Sequence, residues 1–109
     1  MASKQSTVDF LTDQIAGAGS IRYRKMFGEY ALYCDEKVIA LVCDDKLFVK
    51  PTDGGRAIVG PGNDAPPYPG AKPYLLISED YWDDRDWMTN VIQKTASELP
   101  LPKPKKKKR

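Results

Sequence analysis

Five carboxylates crowd into eight residues of this chain: Glu79, Asp80, Asp83, Asp84 and Asp86. Acids at such density could hold a hard cation such as magnesium, which takes oxygen ligands. They also follow Ser78, a residue suited to starting a helix, and carboxylates in a first helical turn complement the macrodipole. On a helix these side chains fan around the axis instead of converging, so the sequence predicts capping and not metal binding. Asp44-Asp45 is a second acidic pair, set between two apolar runs where a hairpin turn is expected.

The two thiols, Cys34 and Cys43, have no metal-ligand spacing. A nucleophilic cysteine needs an activating base or a positive surrounding, and histidine is absent from the chain. That absence removes the commonest general base and the commonest metal ligand. There is no Gly-x-Ser-x-Gly, no Walker loop and no complete dinucleotide fingerprint. Neither an enzyme nor a bound cofactor or metal is expected. The rival reading is a small enzyme or ligand-binding domain built on Cys34, Cys43 or the acidic stretch.

Basic chemistry lies in two places. Lys103, Lys105, Lys106, Lys107, Lys108 and Arg109 hold six of the 17 basic residues. The other 102 residues carry 11 basic and 15 acidic side chains, a net charge of −4. A lysine run with no apolar residue to bury is expected to stay disordered, making 101–109 a tail beyond a domain at 1–100. It could neutralise about six phosphates of DNA or RNA, with a salt slope of roughly −4 to −5. The second place is Arg22-Tyr23-Arg24-Lys25, which interleaves cations with an aromatic ring as single-strand binders do. Pro66-Pro67-Tyr68-Pro69 contains a Pro-x-x-Pro spacing, which a rigid connector would also need.

Around these residues stands one domain's worth of chain, 109 residues and 12.2 kDa, 41% apolar. No apolar run approaches the roughly 20 residues of a membrane span, and Met1 to Ser6 lacks a signal's apolar stretch. A cytoplasmic protein without membrane contact is expected.

Val8, Leu11 and Ile15 share a helical face over about Thr7–Ala16, with Ser6 as cap and Gly17 as stop. Ile21–Phe27, Tyr30–Cys34, Val38–Cys43 and Leu47–Lys50 read as strands joined by short polar turns, an antiparallel meander. With two-residue turns, position 34 faces 37 and Cys43 faces Gly28, so the thiols sit too far apart to bridge. Alternation then puts Tyr33, Val38, Ala40, Val42, Leu47 and Val49 on one face. Leu32, Ile39, Leu41 and Phe48 fall on the other, an apolar patch fit for weak homodimerisation. Thr52–Val59 is a short helix. Gly60–Pro73, with five prolines and three glycines, is a loop. Tyr74–Ile77 is a last strand, and Ser78 opens a final helix with Met88, Val91, Ile92, Thr95 and Leu99 inward.

The chain resembles the TfoX/Sxy N-terminal-domain family. The resemblance rests on Arg24-Lys25-Met26-Phe27-Gly28-Glu29-Tyr30, Leu32-Tyr33-Cys34-Asp35, Ala40-Leu41-Val42, the run from Asp44 to Lys50, and Pro67 to Tyr74. It covers roughly Val8 to Leu99. It implies a bacterial cytoplasmic protein with a two-layer α+β fold, helices packed on one face of an antiparallel sheet. Family namesakes regulate natural competence, acting with the cyclic-AMP receptor protein at promoters. A transcription-regulator protein partner is therefore implied. Where namesakes carry a second, helical domain, this sequence has only Leu101-Pro102 and the lysine run. No catalytic residues come with the family.

Overall fold

A computed structural model describes residues 4–26 and 29–99. The expected tail at 101–109 and the Phe27-Gly28 end of the first strand lie outside the described residues. The chain order is α1 (Gln5–Gln14), β1 (Ile21–Met26), β2 (Glu29–Cys34), β3 (Lys37–Cys43), β4 (Lys46–Val49), α2 (Asp53–Val59), β5 (Asp64–Ala65), β6 (Tyr74–Ile77) and α3 (Arg85–Glu98). The strands form one six-stranded antiparallel sheet in the order β1-β2-β3-β4-β6-β5. The fold is the expected two-layer α+β arrangement. No helix among the described residues is long and apolar enough to cross a membrane.

Both meander turns have two residues, and all four, Asp35, Glu36, Asp44 and Asp45, hold positive φ between 51° and 71°. That is the backbone of a tight hairpin turn whose twist matches the flanking strands. Cys34 faces Lys37, as the turn length dictates. Beyond that pair the register slips at Leu32/Tyr33, so Tyr30 faces Val42 instead of Leu41. Ile39 is the extra residue of a β-bulge, and its carbonyl accepts from Lys50 N–H at 2.8 Å.

The bulge corrects the expected faces. Leu32 and Ile39, predicted to lie opposite the core, are fully buried within it beside Ala40, Val42, Leu47 and Val49. Tyr33 and Val38, predicted to be inward, are half-buried outside the core cluster. Phe48 is 5% exposed and Leu41 half-buried, so the open apolar patch expected of Leu32, Ile39, Leu41 and Phe48 does not form.

One cluster joins Val8 and Leu11 of α1, and Ile15 just after it, with the inward strand residues and Met88, Val91, Ile92 and Ala96 of α3. The last helix begins later than predicted. Ser78 caps a 3-10 turn, Glu79–Tyr81, by accepting from Asp80 N–H at 3.2 Å. Trp82 then turns inward, and its indole donates to the Ile77 carbonyl at 3.2 Å. Asp84 caps α3 proper by accepting from Trp87 N–H at 3.0 Å. Ser6 does not cap α1, because helix residues already run from Gln5 and Lys4 sits at the N-cap. β5 lies inside the segment predicted to be loop only.

Candidate functional site

Two charged surfaces stand out. The first is the outer edge of β1, an end position in the sheet. Successive strand residues alternate faces, so Arg22 and Arg24 lie on one side of β1 while Tyr23 and Lys25 lie on the other. All four are exposed. Arg22 donates to Glu36 Oε1 at 2.8 Å and stands 4.6 Å above the Tyr33 ring. The bond to Glu36, with its negative charge, holds the Arg22 guanidinium further above its ordinary pKa. Arg24 and Lys25 form no ion pair among the described residues.

Tyr23 is already employed within the fold. Its hydroxyl accepts from Gln5 Nε2 at 2.6 Å, and its ring meets Tyr30 edge-on at 5.5 Å. The basic-aromatic interleaving of the sequence therefore divides between two faces, with the ring partly occupied. Lys103, Lys105, Lys106, Lys107, Lys108 and Arg109 lie outside the described residues.

The second surface is a cleft of about 540 Å³ between the β3–β4 turn and the 3-10 turn after β6. It brings Asp44 and Asp45 beside Glu79 and Asp80, a juxtaposition that the sequence reading did not make. The pairing of β4 with β6 produces it, by setting Leu47 opposite Ile77. Asp44 faces Lys46 at 3.5 Å. Asp45 accepts from Lys4 N–H at 2.8 Å and Thr7 Oγ1 at 3.1 Å. No three cysteine or carboxylate side chains among the described residues are grouped to hold a metal ion. Asp83, Asp84 and Asp86 belong to the start of α3, where Asp84 is the cap.

Both cysteines are buried and free. Burial raises the pKa of Cys34, helped by Asp35, while its thiol lies 3.7 Å from the Ala18 carbonyl. Cys43 is pushed up to about 11 by burial, with the negative charges of Glu29 and Asp44 adding to it. Neither environment favours a thiolate nucleophile. In the proline-rich stretch, Pro67 is buried and Tyr68 exposed, and the Tyr68 carbonyl accepts from Ala71 N–H at 3.1 Å. That stretch is built as a turn-bearing connector.

Comparison with known proteins places this geometry. The family model described as the TfoX N-terminal domain matches residues 13–99. Among curated proteins, the chain is similar to an uncharacterized 12.7 kDa protein in the trpE 5' region of Spirochaeta aurantia. The two are 41% identical over 108 residues, covering 99% of this chain and 93% of that one.

Proposed function

Because the chain belongs to the TfoX N-terminal domain family, we propose that it is a non-catalytic regulatory or adaptor module related to competence regulators. The family match over 13–99 is the observation that carries this reading. Two features support it. Burial raises the pKa of both thiols, and among the carboxylates Asp84 caps α3 while Asp45 is tied to Lys4 at the start of α1.

The same reading gives the module a weak, sequence-independent hold on DNA or RNA through Lys103 to Arg109. A charge run with no aromatic platform has nothing to stack on bases and no fixed geometry to read their edges. The body of the chain, at −4, opposes a polyanion. Binding should thus fall steeply with salt, with a log–log slope no steeper than about −5.

The test compares the full chain with one ending at Pro102, by anisotropy on labelled oligonucleotides over a salt series. Loss of binding with the tail supports the reading. Equal binding by both moves the site to Arg22, Arg24 and Lys25, and no binding by either removes the nucleic-acid role. A pull-down from the native host tests the adaptor role separately.

A further inference from the structure

β1 ends the sheet, and its outer side pairs with no strand among the described residues. Its inner side is fully used, since all six residues from Ile21 to Met26 are in register with β2. The Ser20 carbonyl accepts from Asp35 N–H at 2.9 Å, which sets the phase of this ladder. Alternation along an antiparallel pair then turns the backbone N–H and C=O of Ile21, Tyr23 and Lys25 outward. The opposite end of the sheet offers little by comparison. β5 has two residues, and Asp64 there is tied to Arg56 at 2.6 Å.

An open six-residue edge is a template for one more strand. The side chains on it select which strand. A second copy of the chain fits poorly, because antiparallel pairing centred on Tyr23 would set each Arg22 opposite the partner's Arg24. Like charges directly across a ladder repel, while opposite charges there attract. An acidic strand converts Arg24 and Lys25, which form no ion pair among the described residues, into cross-strand partners. Edge cations of this kind deter self-pairing and leave a complementary strand free to add.

We propose that the outer edge of β1 docks an extended, acidic segment of a partner protein as an additional strand of the sheet. The adaptor reading is needed for such a partner to exist. The competence of the edge itself is not tied to that reading and is tested directly.

The probe is a short capped peptide alternating glutamate and valine, titrated into the isotope-labelled full chain. The expected result is slowed amide exchange and shifted resonances at Ile21, Tyr23 and Lys25, with Arg22 and Arg24 amides unchanged. Lys25→Pro deletes an outward donor that the native ladder does not use, and should weaken the peptide about tenfold beyond Lys25→Gln. Arg24→Glu should weaken it to a similar degree through charge alone. If Lys25→Pro fails to fold, Arg24→Glu and the exchange pattern still decide.

Peptide-induced changes confined to 103–109 would overturn the proposal, as would Lys25→Pro binding as well as Lys25→Gln. So would concentration-dependent protection of the same amides without peptide, which would identify a second copy as the occupant. A single-stranded oligonucleotide that shifts those amides and displaces the peptide would overturn it too. Edge protection by the peptide, with nothing recovered by a host pull-down, would sustain the edge and count against the adaptor reading.

Discussion

The Asp45 carboxylate accepts the backbone N–H of Lys4 at 2.8 Å, across 41 residues of sequence. It also accepts from the Thr7 hydroxyl at 3.1 Å. The β3–β4 turn thus satisfies the N–H of the N-cap residue Lys4, the donor that an acidic side chain at N3 takes up in a capping box. The Lys4 bond is the main reason that Asp45 titrates below its ordinary value of 3.8. A depressed carboxylate contributes stability above its unfolded pKa and loses it as pH falls through the folded one. Asp45→Ala should therefore lower the melting temperature at pH 6 and speed amide exchange at the start of α1. The gap between variant and wild type should shrink as pH drops below about 4. Thermal melts across that range check the sign.

Ile39 and Val38 are neighbours with opposite fates because of the bulge. Ile39 is fully buried, so Ile39→Ala should cost about 2–5 kcal/mol. Val38 is half-buried outside the core cluster, and Val38→Ala should cost about 1 kcal/mol or less. An unbulged strand would reverse that order. Denaturant titration of the two variants separates the cases.

Gly55 is buried in the first turn of α2, where a methyl group would lie 2.9 Å from Thr52 Oγ1 and 3.0 Å from Thr95 Oγ1. The first oxygen caps α2 by accepting from Gly55 N–H, and the second belongs to a side chain with no exposure. Alanine favours a helix in isolation. Here Gly55→Ala should destabilise by about 1–3 kcal/mol through overpacking. Denaturant unfolding reads the cost.

Cys43 should resist alkylation in the native state at pH 8 and react at once in denaturant, with Cys34 behaving alike. A thiol raised to about 11 stabilises the fold below its unfolded value of 9.0 and loses that contribution as pH climbs between them. Cys43→Ala should accordingly flatten the fall in stability over that alkaline range. Thiol labelling and alkaline melts are the measurements.

The meander was legible because Asp35-Glu36 and Asp44-Asp45 punctuate apolar runs at hairpin spacing. The bulge was not, since Val38-Ile39-Ala40-Leu41-Val42 is apolar throughout and offers no polar residue to mark parity. Ser78 and Asp84 are both competent caps, and only the inward turn of Trp82 divides the 3-10 turn from α3. Asp45, which holds the Lys4 N–H at the start of α1, stands in a distant hairpin, beyond the reach of local pattern. At the candidate site, the charges of Arg22, Arg24 and Lys25 could be read directly. Their position on an edge that pairs with no strand among the described residues depends on β4 pairing with β6, which sends the rest of the sheet to the other side.

Trp82 sits where three elements meet, with its indole on the Ile77 carbonyl and its own carbonyl accepting from Gln14 Nε2 at 2.7 Å. The chain's other tryptophan, Trp87, stacks on Tyr81 at 4.3 Å. The molecule therefore carries two intrinsic fluorophores in unlike surroundings. The emission of Trp82 records whether α1 is seated. That of Trp87, half-buried against the core and stacked on Tyr81, records the packing where α3 begins. A Trp87→Phe protein would give an unlabelled optical trace of α1 leaving the sheet.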